Sequence, residues 1–506
     1  PKPPQRATLS HLGLCTPADG VETMDSKAAS SSGASAPTAA DKINEVGFGL
    51  YQVHVFILCA GAAIAEVNGL QTAAGLTSAV VQEYKLKTDM AQEAQMLSTY
   101  VGFALGTLSS GSAGDVFGRR LPVLLAYSGM LMSALGLFLT ASYTALCIGF
   151  CAFGFFGGLG IPAAFIALAE VCPTRLRGVF NAAMAVAFCC GEVWSALGFR
   201  LLLPELIGPG WKFMLLWIGL PPLVLLCLGF LSPVARFDTP HFLSARGRRQ
   251  ELREAMQLMA AMNHREVSVS ELASSSEDSE VLGISEALAS LATRKQSWGV
   301  LALSVMFFVK DLAFYGMGNF WPLAWRKTQS LAGASPATEL LATAALGVPG
   351  VAVAMLLIFS LPRRVAFAAA AVLCSFGVYA VHGILDKDMS LGLTGVVFFK
   401  LFYPTAQMTT FLLPSEVFTT QIRVWSMSII AFCGRMAPLA VPLLIHSSTR
   451  LFLYLTMGLL LLASVLVWSL PETKDAELIE THGRPLVSKD STSYGAAAHC
   501  VPAAAG

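Results

Sequence analysis

The sequence predicts an all-α membrane protein whose twelve transmembrane helices form two pseudo-symmetric six-helix bundles. Hydrophobic residues make up 55% of the 506 residues and charged residues only 13%, whereas soluble domains carry about 25% charged residues. The apolar residues fall into twelve runs of about 20 residues, the length of helix that crosses a bilayer. A loop sequence from the first half of the chain recurs in the second half. These three observations define the fold class.

A polar insert separates the sixth apolar run from the seventh. We predict the first six spans at about 47–70, 92–113, 121–141, 144–168, 179–203 and 211–232. We predict the other six at about 298–323, 335–361, 364–384, 390–413, 425–446 and 450–470. The chain is therefore expected to form six helices, a loop and six more helices.

Five segments follow from these runs. Residues 1–44 are rich in Ser, Ala and Pro and have no apolar period, which predicts a disordered cytoplasmic segment. The two bundles are expected to occupy 45–232 and 298–471, joined by a cytoplasmic linker at 233–297. The polar tail, 472–506, is predicted to be cytoplasmic as well.

The linker contains one amphipathic stretch. Residues 245–262 place apolar side chains on one face and arginines elsewhere, which predicts an interfacial helix under the bundle. The apolar face consists of Leu252, Ala255, Met256, Met259 and Met262.

The basic residues indicate which side of the membrane each loop faces. Arginines cluster in alternate loops, whereas the opposite loops mix both signs or carry little charge. Under the positive-inside rule the arginine-rich loops are cytoplasmic, and so are both termini. The plasma membrane and an intracellular vesicle membrane both remain open. The net charge of +1 gives no argument for a nucleic-acid partner, and none is expected.

The loop between the second and third spans concentrates charges and glycines in a short turn. Charged groups belong at the water interface, and glycines let two membrane helices turn sharply and approach closely. We predict a gating motif at this loop. Its residues are Gly114, Asp115, Gly118, Arg119 and Arg120.

A second loop motif is repeated 246 residues along the chain. The stretch from Glu170 to Arg177 reads E-V-x-x-T-x-L-R, and the stretch from Glu416 to Arg423 reads E-V-x-x-T-x-I-R. Two loops repeating in register imply two six-helix halves related by an axis along the membrane normal. In such a fold, the substrate site lies near the bilayer midplane between the halves.

The second-half counterpart of the gating loop is less complete. Arg363-Arg364 repeats the two arginines but lacks the Gly-Asp pair. We therefore predict that the first-half loop is the working cytoplasmic latch, with Glu170 neutralising its arginines. The predicted gating residues outside that loop are Glu170, Arg177, Glu416 and Arg423.

Polar side chains within the spans are the candidates for a substrate site. A charged group at the centre of a bilayer costs about 2.5–3.5 kcal/mol on insertion scales, so it faces the protein interior or a water-filled cavity. Two interpretations remain open: a substrate or proton site, and a buried interhelical hydrogen bond. Glu66 is the candidate for proton coupling, because a buried carboxyl group can change its protonation state. The predicted substrate-binding residues are Glu66, Asn68, Gln71, Glu192, Trp194, Tyr315, Asn319, Trp321, Gln407 and Arg435.

Two spans carry patterns that predict contacts between helices. Lys310 and Asp311 are adjacent, and side chains on adjacent helical residues point about 100° apart, so we expect that they do not simply neutralise each other. Either each has another partner or one of them lines water. Glycines in the fourth span predict close helix packing. They are Gly154, Gly157, Gly158 and Gly160.

These motifs resemble those of a known family. The sequence G-D-x-x-G-R-R at Gly114–Arg120 is similar to the loop signature of the major facilitator superfamily. The sequence E-x-x-P-x-x-x-R-G at Glu170–Gly178 resembles a signature of sugar porters and their relatives. The chain most resembles the group of synaptic-vesicle-protein-related carriers and nicotinate permeases, and more distantly the organic-ion transporters. The resemblance implies a secondary active or facilitative transporter that works by alternating access.

The resemblance also suggests a substrate class. Transporters in the organic-anion branch have an arginine in the eleventh span, and Arg435 resembles that residue. This implies an anionic substrate such as a small aromatic carboxylate, and a guanidinium in a dry cavity suits a carboxylate physically. Internal pairing of Arg435 with Glu192, Asp311 or Glu66 remains the alternative.

Other functions remain open within limits. A sugar or polyol porter of the same fold is one alternative, and a non-transporting receptor built on a carrier fold is another. No enzyme activity, cofactor or metal site is expected, because the sequence has no phosphate-binding glycine loop, metal-ligand cluster or nucleophile–base pattern. The expected partners are a small organic substrate, a coupling proton and the lipid bilayer, and the expected state is a monomer.

Overall fold

The fold was analysed in a computed structural model, which describes residues 39–87, 89–173, 176–265, 291, 293–327, 334–418 and 420–474. The tail from 475 onward lies outside the described residues, and so does most of the predicted disordered segment. That segment was expected to run to residue 44, but helix α1 (Ala39–Val46) already begins inside it. Its buried side chains, Ala39, Ile43 and Val46, share one helical face.

The first half of the described chain contains six spans. They are formed by α2 (Leu50–Tyr84), α3 (Asp89–Phe117), α4 (Arg120–Leu139), α5 (Tyr143–Val171), α6 (Arg177–Leu202) and the pair α7 (Trp211–Trp217) and α8 (Leu220–Leu231). Two prolines follow the first residue of α8, and since proline has no backbone N–H, the sixth span divides there.

The linker forms α9 (Pro240–Ala245) and α10 (Arg249–Met262). The second half then repeats the arrangement of six spans. The remaining spans are α11 (Arg294–Lys327), the pair α12 (Pro336–Ala345) and α13 (Gly347–Ser360), α14 (Arg363–Leu385), α15 (Met389–Val417), α16 (Thr420–Ser447) and α17 (Thr449–Leu466).

The helices confirm the predicted fold class. Within the described residues, eleven spans are long and apolar enough to cross a membrane. The one predicted span not among these eleven is the second, α3, which is 29 residues long but carries many Ser and Thr side chains. Several of those hydroxyl groups donate to carbonyls of their own helix, as Thr107 does to Phe103 at 2.9 Å, so their burial leaves no donor unsatisfied.

Glycines bring α3 and α5 into backbone contact. A methyl group on Gly106 would lie 1.9 Å from the carbonyl oxygen of Phe155, and one on Gly158 would lie 2.2 Å from that of Phe103. Only glycine allows two helices to approach this closely. The predicted packing role of the glycines in the fourth span is confirmed.

The linker helix α10 packs on the first half. Its buried face includes four of the five predicted apolar residues, Leu252, Ala255, Met256 and Met259. Just beyond it, Asn263 accepts a hydrogen bond from the backbone N–H of Tyr51 at 3.0 Å and donates one to Gln52 at 2.9 Å. The linker is therefore attached to the start of α2.

Candidate functional site

A cluster of charged side chains is buried where the two halves meet. Glu66 comes from α2 in the first half, and Lys310, Asp311, Tyr315 and Arg435 come from α11 and α16 in the second. Each of these residues is at most 5% exposed. Such groups persist inside a protein only when they are paired or serve a function.

Hydrogen bonds connect these residues into one network. Arg435 donates from one terminal nitrogen to Asp311 Oδ2 at 3.0 Å and to the Tyr315 hydroxyl at 3.1 Å. The Tyr315 hydroxyl in turn donates to Glu66 Oε1 at 3.2 Å. Gly434 makes room for this arrangement, because a methyl group there would lie 2.8 Å from Asp311 Oδ2. The network therefore links the first half to the second through Tyr315.

The expectation that Lys310 and Asp311 do not pair with each other is wrong. Lys310 Nζ lies 2.6 Å from Asp311 Oδ1. The long lysine side chain bends back across the 100° that separates the two Cα–Cβ directions. Its ammonium also lies over the rings of Phe307 and Phe411, with centroids 4.7 and 4.5 Å away. Asp311 does have the second partner expected, Arg435, so the internal pairing of Arg435 is present in this structure.

Two polar atoms of the network have no hydrogen-bond partner among the described residues. They are Glu66 Oε2 and Arg435 Nε. The Arg435 guanidinium lies over the Phe103 ring, 4.3 Å from its centroid. A buried acceptor and a buried donor left over in one cluster are groups that a ligand or a proton can satisfy.

A second ion pair joins the halves nearby. Lys400 on α15 donates to Glu192 on α6, and both side chains are buried. They border a small cavity of about 20 Å³, room for about one water. The predicted residues Trp321 and Gln407 also line this cavity. The prediction missed Lys400, although a lysine inside an apolar span is itself a signal of function.

Other predicted residues lie at different places in the bundle. Asn319 donates to the Tyr100 hydroxyl at 2.7 Å, and Gln71 packs against Gly318, so both residues lie between the halves.

Two predicted residues make their contacts inside the first half. Asn68 donates to the carbonyl oxygen of Ile218 at 3.4 Å. Trp194 stacks on Trp217, with ring centroids 4.6 Å apart. Neither residue contributes a contact to the charged cluster among those described.

The gating residues form a compact network at one end of the first half. Arg119 pairs with Asp115 at 2.9 Å and with Glu170 at 3.2 Å. Burial alone would lower the pKa of Arg119, but Glu170 and Asp115 raise it above its ordinary value, so the arginine stays charged. Gly118 has φ +90°, and a methyl group there would overlap the Asp238 carboxylate. The turn therefore requires glycine.

The second half repeats the contact between arginine and glutamate, although it lacks the Gly-Asp pair. Arg363 lies 3.5 Å from Glu416. The backbone N–H groups of Arg363 and Arg364 donate to Glu472 at 2.7 and 3.2 Å, as those of Arg119 and Arg120 do to Asp238 at 2.8 and 3.4 Å.

The structure adds a third repeated element that the prediction missed. It is an acidic residue followed by threonine, Asp238-Thr239 after the sixth span and Glu472-Thr473 after the twelfth. Each threonine donates to the repeated glutamate of its own half. The side chains of the predicted gating residues Arg177 and Arg423 lie outside the described part of the chain.

Two repeated halves with a charged cluster buried between them and matched networks at one end define a transporter of the major facilitator superfamily. The chain matches the family model "Sugar (and other) transporter" over residues 58–483 and therefore belongs to that family. It is a multi-pass membrane transporter rather than an enzyme.

The names of similar proteins refer to substrates of different classes. The chain is 26% identical to probable plastidic glucose transporter 2 of Arabidopsis thaliana over 205 residues, 40% of each protein. It is 26% identical to solute carrier family 22 member 7 of Mus musculus over 423 residues, 80% of this chain and 74% of that one. It is 31% identical to the 4-hydroxybenzoate transporter PcaK of Pseudomonas aeruginosa over 191 residues, 36% of this chain and 40% of that one. The chain thus covers less than half of the length of the first and third of these.

A solved structure supports the fold. The proton:xylose symporter XylE superposes with a TM-score of 0.64 at 16% identity, covering 85% of this chain and 98% of that one. At this identity the likeness establishes the shared fold alone.

Proposed function

We propose that the protein is a secondary active transporter of a small organic anion, with Arg435 binding the carboxylate and Glu66 carrying a coupled proton. The observation that supports this most directly is the network of Glu66, Tyr315, Asp311 and Arg435 between the halves. Arg435 has a planar, permanently charged group that binds carboxylates in a bidentate manner. Its Nε has no partner among the described residues, so a substrate carboxylate can share the guanidinium with Asp311.

The balance of charges supports proton coupling. Glu66 and Asp311 carry two negative charges when ionised, and Lys310 and Arg435 carry two positive ones, so the cluster is neutral. A monovalent anion would leave one uncompensated negative charge in a low-dielectric interior, where charges interact strongly. One proton on Glu66 restores neutrality. This predicts cotransport of one proton with each anion.

The two halves provide the alternating access. In this structure the halves contact each other directly, because Tyr315 donates to Glu66 and Lys400 donates to Glu192 across the boundary between them. A substrate enters when the halves rock apart, and the repeated networks around Arg119 and Arg363 hold the end of each half rigid during that motion. We place this end in the cytosol, since its loops carry the arginines. The membrane is the plasma membrane or an intracellular vesicle membrane.

Uptake into proteoliposomes tests the proposal. Wild type should accumulate labelled 4-hydroxybenzoate when the pH outside is lower than inside, and Arg435→Ala should reduce accumulation at least tenfold. Arg435→Lys keeps the charge but loses the bidentate geometry, so it should retain partial activity. The matched control is Arg450→Ala, an arginine that is 60% exposed and pairs with Asp386. Unchanged accumulation in Arg435→Ala would remove Arg435 from the site.

A sugar porter is the second candidate, and the family match and the plastidic glucose transporter favour it. The same vesicles distinguish the two. Accumulation of labelled glucose or xylose that Arg435→Ala leaves intact would support a sugar substrate. Binding of a ligand without accumulation or exchange would support the receptor alternative.

A further inference from the structure

The ion pair between Glu192 and Lys400 borders the small cavity lined by Trp321 and Gln407 but plays no part in the transport step described above. It joins the first half to the second, since Glu192 belongs to α6 and Lys400 to α15. The two residues are 9% and 6% exposed. Glu192 is the only hydrogen-bond acceptor of the Lys400 ammonium among the described residues.

The cavity beside this pair is largely aromatic. Phe314 stacks on Tyr403 with ring centroids 5.4 Å apart, and Phe399 stacks on the same ring at 5.2 Å. Trp321 closes the layer, 6.3 Å from Phe399. A lysine at the edge of a layer of rings can bind the charged end of a planar aromatic anion, while the rings contact its apolar body.

The aromatic layer also contacts residues of the Arg435 network. Phe314 contacts Tyr315 at 5.0 Å between ring centroids, and Tyr403 donates to the carbonyl oxygen of Lys310 at 3.4 Å. Lys400 is therefore a buried cation outside the Arg435 network, with a carboxylate partner of its own, Glu192.

We propose that Lys400 is a second anion-binding residue. When the halves are closed, the carboxylate of Glu192 occupies the place beside Lys400 that the carboxylate of the substrate takes when they open. The proposal rests on the function proposed above, because it assumes an anionic substrate. Separating the halves takes Glu192 away from Lys400 and leaves a buried cation without a partner, which is strongly unfavourable. A carboxylate entering the widened cavity replaces Glu192. Anion binding thereby compensates for breaking the ion pair, and the open arrangement is stabilised by the substrate itself.

Equilibrium binding to the purified protein tests this exchange, with 4-hydroxybenzoate as the probe and neutral 4-hydroxybenzamide as its matched control. Lys400→Gln removes the cation and should raise the Kd for 4-hydroxybenzoate at least tenfold. Glu192→Gln removes the competing carboxylate and should lower that Kd severalfold. Both changes remove the ion pair that joins the halves, so they should shift the weaker binding of the neutral amide in the same direction. A merely structural ion pair cannot produce opposite effects from its two members.

The double variant Glu192→Gln/Lys400→Gln is the control for a loss of folding in the single variants. It leaves no unpaired charge, so it should unfold near the wild-type temperature and still bind the anion as poorly as Lys400→Gln does. Wild-type affinity in the double variant, or weakened binding in both single variants, would overturn the role of Lys400. If Arg435→Ala loses the anion while Lys400→Gln keeps it, only this inference fails. If the wild type does not bind the anion at all, both proposals fail together.

Discussion

Replacing Gly106 by alanine should separate α3 from α5 and destabilise the first half. The added methyl group would lie 1.9 Å from the carbonyl oxygen of Phe155, and its other two close neighbours are also backbone atoms. Carbon and oxygen normally approach no closer than about 3.3 Å, so the helices must move apart by about 1.4 Å. Backbone atoms cannot rotate away as a side chain can.

The expected cost follows from that displacement. Overpacking a protein interior typically costs about 1–3 kcal/mol, and contact with the backbone places Gly106→Ala near the upper end. For a bundle of this size, 3 kcal/mol lowers the unfolding midpoint by roughly 6–12 °C. The matched control is Gly136→Ala in α4, where a methyl group meets nothing within 4 Å. Its better helix propensity should raise the midpoint slightly, by about 1–4 °C.

Thermal unfolding in detergent, followed by loss of the monodisperse peak, measures both variants side by side. The comparison isolates the effect of the contact between α3 and α5, because both changes replace glycine by alanine inside a helix. A midpoint for Gly106→Ala within 2 °C of the wild type would refute the close approach of α3 and α5.

Three further outcomes are expected. Glu66→Gln should reduce proton-driven accumulation of 4-hydroxybenzoate at least tenfold and preserve anion exchange, measured in proteoliposomes; equal loss of both would contradict proton carriage by Glu66. Asn263→Ala should loosen α10 from α2 and speed tryptic cleavage at Arg265 severalfold; an unchanged cleavage rate would show that Asn263 does not hold the linker. Burial alone would raise the pKa of Glu472, but backbone N–H groups of four residues, Arg364 among them, lower it. The ionised carboxylate therefore stabilises the fold fully above its ordinary pKa of about 4.3, and this stabilisation is lost as the pH falls through the lowered pKa. The difference in unfolding midpoint between wild type and Glu472→Gln should therefore shrink on acidification from pH 7 to pH 3.

Hydropathy and the repeated loops predict most of the fold. The cost of placing polar backbone in hydrocarbon forces apolar runs of sufficient length into helices, whatever their neighbours. The motif that begins at Glu170 and recurs at Glu416 indicates two halves, because the same loop sequence favours the same packing in each of them. The glycines of the fourth span predict close packing for a similar reason, since small side chains favour it wherever two membrane helices cross.

The charged cluster depended on packing between distant parts of the chain. Arg435 meets Asp311 across 124 residues, and Tyr315 meets Glu66 across 249. No local pattern predicts which of several polar residues will share a partner at that separation. Residue spacing alone also misjudged Lys310 and Asp311, because it ignores the reach of a flexible side chain.

The apolar runs and the repeated loops thus establish that this chain crosses the membrane in two related bundles. An apolar run depends only on the solvent around its own helix, and the repeat can be read from the sequence directly. The packing of the two bundles against each other decides which carboxylate neutralises Arg435. It also decides that Lys400 of one half pairs with Glu192 of the other. That packing is set by the combined shapes of side chains from several helices, and only the folded protein brings them together.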